Sequence, residues 1–152
     1  MLLGVGGVGK TTALYRLLGF GSYVRATTRP GIYQVYYGGQ LYEVVDTPGQ
    51  AAAEVARAVA QISTLSFEQI TLMYDLVRQE TYNALLEIWG GVCALGGCLS
   101  ARRIVVVGNK LDLAEELGYM VEADPGHFGA DGVKYISALR DPVETVARAV
   151  LP

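Results

Sequence analysis

GVGGVGKT, residues Gly4 to Thr11, satisfies every fixed position of the phosphate-loop pattern G-x-x-x-x-G-K-[ST]. A main chain can wrap a polyphosphate only where no Cβ stands in the way, which suits Gly4, Gly6, Gly7 and Gly9 to such a loop. Val5 and Val8 add backbone N–H groups between them, and Lys10 carries the charge that reaches β- and γ-phosphates. The Thr11 hydroxyl is the type that ligates Mg²⁺. From Thr12 to Leu18 the spacing is helical, with Leu14, Leu17 and Leu18 on one face. A glycine loop opening onto a helix N-terminus is an anion site. A Gly-rich surface turn is the competing reading, and the strings further along the chain count against it.

Asp46-Thr47-Pro48-Gly49-Gln50 forms a D-x-x-G-Q string after the apolar run Leu41 to Val45. Asn109-Lys110-Leu111-Asp112, N-K-x-D, follows the run Ile104 to Val107, and Ser137-Ala138 follows Val133 to Ile136. Ligands of open α/β sheets bind beyond the carboxyl ends of the strands, where each of these strings falls. In this order the set resembles the Ras-like small GTPases, the Arf-like branch foremost, over essentially the whole chain. The resemblance implies an α/β fold, the P-loop NTPase three-layer sandwich. Its sheet would be six-stranded and mostly parallel, with one antiparallel edge strand and helices on both faces. It also implies GTP or GDP as ligand, with Mg²⁺.

The residue types suit that ligand. The Asp112 carboxylate can accept from guanine N1 and the exocyclic N2, whereas adenine would leave a buried acceptor unpaired. By resemblance, Asn109 braces the loop, Lys110 lies along the base plane, and the Ala138 N–H, between Ser137 and Leu139, bonds guanine O6. Asp46 would hold Mg²⁺ through a water, the Gly49 N–H would sense the γ-phosphate, and Gln50 would position the attacking water. Pro48 departs from the commonest pattern: D-T-P-G is the form of translation-factor and ribosome-assembly GTPases, while Gln50 is the small-GTPase residue.

The family also needs a threonine on Mg²⁺ before Asp46. Thr27 and Thr28 are the candidates, with Thr28 favoured and an ungapped Arf-like count landing on Thr27. Arg25 stands three residues before Thr28, a spacing that permits an internal arginine finger; a solvated loop arginine is the plainer reading. Residues 24–31 and 46–62 are the expected switches. Ile32 to Tyr37, the turn Gly38-Gly39 and Gln40 to Val45 read as a hairpin. Tyr33, Tyr36, Tyr37 and Tyr42 give it aromatics on both faces, one for the core and one offered to effectors.

A chain of 152 residues with 51% hydrophobic content can bury one core, so residues 1–152 read as one G domain. A net charge of -3 argues against direct nucleic-acid or anionic-membrane binding. With one histidine, His127, neither a catalytic triad nor a zinc site is supported. Cys93 and Cys98, placed in a loop after the third helix, are expected as buried thiols in a cytoplasmic protein, with a loop disulfide between them the alternative, chiefly in a hyperthermophile. Met1-Leu2 lacks a myristoylation glycine and Ala149 to Pro152 lacks a prenylation cysteine. No intrinsic anchor is therefore expected, and a membrane would be reached through a partner.

Ala51 to Ile62 reads as a helix, Ile70 to Tyr74 as a strand ending at Asp75, and Thr81 to Trp89 as an amphipathic helix with Trp89 in the core. Asp141 is expected to cap a terminal helix with Pro142 in its first turn and Glu144 completing a capping box. Two departures stand out. Only three residues precede Gly4, so either the first strand is drastically short or the sequence starts late, and Gly118 to Gly132 replaces much of the expected helix with Gly, Pro and Asp.

The expected function is a GTP-hydrolysing switch, monomeric, slow without an activating partner, and engaging effector, activating and exchange proteins. A nucleotide-dependent interaction module with negligible turnover and a ribosome-assembly-type GTPase are the alternatives.

Overall fold

The computed structural model describes residues 1–19, 31–47, 54, 55, 57, 59, 65–94 and 99–152. Gly38 and Gly39 both adopt positive φ, 59° and 82°, as a two-residue hairpin turn requires. They join β2 (Gly31–Tyr37) to β3 (Gln40–Asp46), paired antiparallel from Tyr37↔Gln40 to Gly31↔Asp46. Every other pairing is parallel. β1 (Leu2–Leu3) lies between β3 and β4 (Phe67–Asp75), followed by β5 (Ala101–Asn109) and β6 (Gly132–Ile136), giving the order β2-β3-β1-β4-β5-β6. The expected six-stranded, mostly parallel sheet with one antiparallel edge strand is therefore present.

Residue alternation along β4 shows how the layers form. Gln69 and Thr71 side chains bond the Ala149 and Val150 carbonyls at the end of α4 (Val143–Val150). Tyr74, of opposite parity, donates its hydroxyl to the Val121 carbonyl and meets Tyr82 edge-on. Tyr82 belongs to α2 (Gln79–Ala94), which buries Leu85, Ile88, Trp89 and Val92 as well. Both faces of the strand are thus covered, and such strands read as near-continuous apolar runs. Of the residues between β3 and β4, Glu54, Val55, Arg57 and Val59 are helical, and Val55 and Val59 are buried. The remainder of the expected Ala51–Ile62 helix lies outside the described residues.

Three local expectations are corrected. The helix read over Thr81–Trp89 continues through Gly90 and Gly91, because burial of Val92 outweighs the glycine penalty of about 1 kcal/mol per residue. Cys93 consequently sits in the last turn of α2 rather than in a loop, and it is disulfide-bonded instead of a free thiol. Cys98 lies outside the described residues. At the terminal helix, Pro142 occupies the cap position and Asp141 does not cap, because its carboxylate accepts the Ser137 N–H at 2.8 Å instead. The segment from Gly118 to Asp131 is a long loop broken by a single 3₁₀ turn, Pro125–Phe128, as the composition of Gly118 to Gly132 implies, and Gly132 opens β6. His127 there bonds the Tyr82 hydroxyl at 3.1 Å. Among the described residues no helix is long and apolar enough to cross a membrane.

Candidate functional site

The carboxyl ends of β1, β3, β4, β5 and β6 lie in one row. β1 runs into Gly4, β3 ends at Asp46, β4 at Asp75, β5 at Asn109, and β6 delivers Ser137. Registers Asp75↔Asn109 and Asn109↔Ile136 keep the ends of β4, β5 and β6 level. Leu2 stands beside both Asp46 and Thr71, so β1 and β3 end lower on the same side and leave room for the loop that starts at Gly4. Residues scattered over more than 130 positions of sequence thereby meet at one end of the sheet.

The phosphate loop curls from Gly4 into α1 (Lys10–Leu17). A Cβ at Gly4 would lie 2.2 Å from the Met73 carbonyl oxygen, so the loop hugs β4 only because that atom is missing. Lys10 is buried under the loop, its Nζ donating to the Gly4 and Val5 carbonyls at 2.7 and 3.1 Å. Burial lowers its ammonium pKa to about 8, with the Asp46 carboxylate offsetting part of the effect. The Thr11 hydroxyl donates to Asp46 Oδ2 at 2.8 Å, and Asp46 is fully buried. A hydroxyl and a carboxylate held this close are hard oxygen donors, the set that suits Mg²⁺. Among the described residues no group of three His, Cys, Asp or Glu side chains offers a rival metal centre.

Asn109 connects the loops. Its Nδ2 donates to the Val8 carbonyl and its Oδ1 accepts the Ala138 N–H, both at 2.8 Å. The carboxamide fits because Gly9, at φ 99°, has no side chain; a Cβ there would be 2.1 Å from Asn109 Nδ2. Asp112 opens α3 (Leu111–Leu117), its carboxylate mostly shielded and 3.3 Å from Arg140 Nε. Arg140 also pairs with Glu116 at 3.0 Å. A cavity of about 400 Å³ is lined by Gly7, Gly9, Lys110, Asp112, Ala138 and Arg140, among others, joining the phosphate loop to the N-K-x-D and S-A strings. A larger cavity, about 570 Å³, opens at the opposite end of the sheet between the starts of β3 and β4. It contains none of the motif residues, so volume does not mark the site; convergent polar groups do.

The structure therefore gathers Gly4 to Thr12, Asp46, Asn109, Lys110, Asp112 and Ser137 to Leu139. Arg25, Thr27, Thr28, Gly49 and Gln50 lie outside the described residues. Four residues at the site escaped the sequence reading. Arg16 of α1 donates through Nη1 to the Leu139 carbonyl and through Nη2 to the Asp141 carbonyl at 2.7 Å, tying the S-A loop to the phosphate-loop helix. Asp75 accepts from Lys110 Nζ at 2.6 Å and Arg78 Nε at 2.7 Å. Arg140 is the fourth. Only Asp75 had a legible signal, an acidic residue closing the largely apolar run Ile70 to Tyr74.

The Ras family profile matches residues 1–138. The chain is 30% identical over 123 residues to the Ras-related protein RABC2a of Arabidopsis thaliana, covering 78% of this chain. That stretch spans 57% of the plant protein's length, just over half of it. Strand order, the sequence of motifs and a match over nearly the full chain agree, and this chain belongs to the Ras family.

Proposed function

We propose that the chain is a single guanine-nucleotide switch domain that binds GTP with Mg²⁺ and hydrolyses it with water to GDP and phosphate. The observation that carries this reading is the Asn109 carboxamide, which joins the phosphate loop at Val8 to the S-A loop at Ala138 around one cavity. In the proposed complex the loop N–H groups and Lys10 cradle the phosphates, Asp112 reads guanine, and the Ala138 N–H meets O6. Thr11, Thr28 and Asp46 would hold the metal, which supplies charge neutralisation across the β- and γ-phosphates. Gln50 and Gly49 would orient water and sense the γ-phosphate, with segments 24–31 and 46–62 as the switches.

The outward face of the hairpin supports a partner-binding role. Ile32, Tyr36 and Leu41 are 70%, 72% and 59% exposed, while Tyr33, Tyr37 and Tyr42 pack inward. Such a surface suits an effector that recognises the GTP form. Activating and exchange proteins would complete a cytoplasmic cycle whose intrinsic turnover is slow, with membranes reached through a partner. The proposed cycle is the same for Arf-like and Rab-like branches; the spacing of Thr27 before Asp46 favours the former and RABC2a the latter.

Calorimetric titration with GTP, GDP and ATP in the presence of Mg²⁺ tests the reading. Tight binding of both guanine nucleotides and none of ATP is expected. Equal affinity for ATP would overturn the base assignment, and no binding would overturn the whole.

A further inference from the structure

Asp75 is fully buried at the end of β4, yet it carries a charge with two cationic partners. Its Oδ2 takes Lys110 Nζ at 2.6 Å and Arg78 Nε at 2.7 Å, while Oδ1 accepts the Val77 N–H at 3.0 Å. The β4-to-α2 connection is thereby folded around the carboxylate, with Thr81 Oγ1 accepting the Asp75 N–H. Each cation then points to a different half of the nucleotide cavity. Lys110, at φ 69° the one positive-φ residue other than glycine among the described residues, is the second residue of N-K-x-D, caps α3 and lines the base end. Arg78 leans on the phosphate loop: a Cβ built on Gly7 would meet Arg78 Nη2 at 3.2 Å.

A buried carboxylate costs several kcal/mol to desolvate, and a fold that keeps one needs strong partners for it. Here those partners are two partly exposed cations, Lys110 in the wall of the cavity and Arg78 against Gly7 of the phosphate loop. Resting on the nucleotide-binding reading above, we propose that Asp75 is a positioning residue for nucleotide retention. It holds Lys110 along the base and Arg78 against Gly7, so that the base end and the phosphate loop are fixed to one point of the sheet. Asp75 touches no nucleotide atom in this scheme; it acts through Lys110 first and Arg78 second.

The test is the dissociation rate of a fluorescent GDP from wild type, Asp75→Asn, Lys110→Met and the double variant, with Mg²⁺. Asparagine keeps the Oδ1 acceptor for the Val77 N–H, while its NH₂ group replaces the charged oxygen that takes Lys110 and Arg78. Loss of a charge-assisted hydrogen bond corresponds to a rate increase on the order of tenfold or more in Asp75→Asn. The double variant should release GDP no faster than Lys110→Met alone, within about threefold, because Asp75 has nothing left to hold at the base. Binding of inorganic tripolyphosphate, which has no base, should change less than GDP binding; a general folding defect would weaken both equally.

Multiplying effects in the double variant, or equal losses for GDP and tripolyphosphate, would overturn the proposal. Should Asp75→Asn not fold, Lys110→Met still decides: a wild-type rate in that variant leaves Asp75 nothing to position. Failure of the wild-type protein to hold GDP would instead defeat the nucleotide reading itself.

Discussion

Replacing Asn109 with alanine should loosen the protein and its ligand together. The side chain makes two hydrogen bonds of 2.8 Å, to the Val8 carbonyl and from the Ala138 N–H, at a position only 3% exposed. Each such bond contributes about 1 kcal/mol net, and a buried group left without its partner costs about 1–3 kcal/mol. Water can enter from the adjacent cavity and recover part of this, so a loss of about 2–4 kcal/mol is expected. For a domain of this size that corresponds to roughly 6–12 °C in Tm. Urea denaturation of the nucleotide-free protein measures the first quantity and a thermal scan the second. Gly9→Ala offers a cross-check, because its Cβ would displace the same carboxamide. The Gly9→Ala/Asn109→Ala pair should lose clearly less than the sum of the two singles. A loss under about 0.5 kcal/mol for Asn109→Ala, the range of an ordinary surface change, would refute the bridging argument.

Asp112→Asn exchanges a double acceptor for an amide and should shift preference from guanine to xanthine nucleotides; unchanged GTP affinity in a competition assay would discount Asp112 as the base reader. Arg16→Ala frees the Leu139 and Asp141 carbonyls and should speed GDP release by about three- to tenfold, one to two moderate hydrogen bonds' worth, with an unchanged rate arguing that the S-A loop holds itself. Burial pushes the Asp75 carboxyl up, but hydrogen bonds from Lys110, the Val77 N–H and Arg78, with the Lys110 charge, outweigh it and leave it below its ordinary 3.8. A depressed native value means stability that is complete above 3.8 and lost as pH falls through the lower native value. The stability gap between wild type and Asp75→Asn should therefore hold steady from neutral pH down to about 3.8, narrow below it and be gone once pH has passed the lower native value; a gap already closing between pH 7 and pH 5 would contradict the depressed value.

The strings of the candidate site were legible because each is local. Two to eight neighbouring residues at a strand end carry the phosphate loop, N-K-x-D and S-A, and apolar runs before them mark the strands. Long-range partnerships leave no such trace. Arg16 meets residues more than 120 positions away, and Asp75 meets Lys110 across 35. Nothing in an isolated arginine or aspartate announces its partner. Local rules also misled where tertiary demands were stronger. Asp141-Pro142 has the composition of a helix cap, but the Ser137 N–H claims the carboxylate first. Gly90-Gly91 looks like a helix end until Val92 is seen buried beyond it.

Trp89, the single tryptophan of the chain, is buried on α2 ten residues past the start of that helix at Gln79. At 1.5 Å per residue the indole stands about 15 Å along the helix from the end that adjoins the nucleotide cavity. Its emission, excited at the red edge where the ten tyrosines hardly absorb, should report opening of the sheet–helix interface and stay nearly silent when nucleotide binds. Unfolding can thus be followed without a label in the presence or absence of ligand, while ligand occupancy calls for a fluorophore on the nucleotide itself.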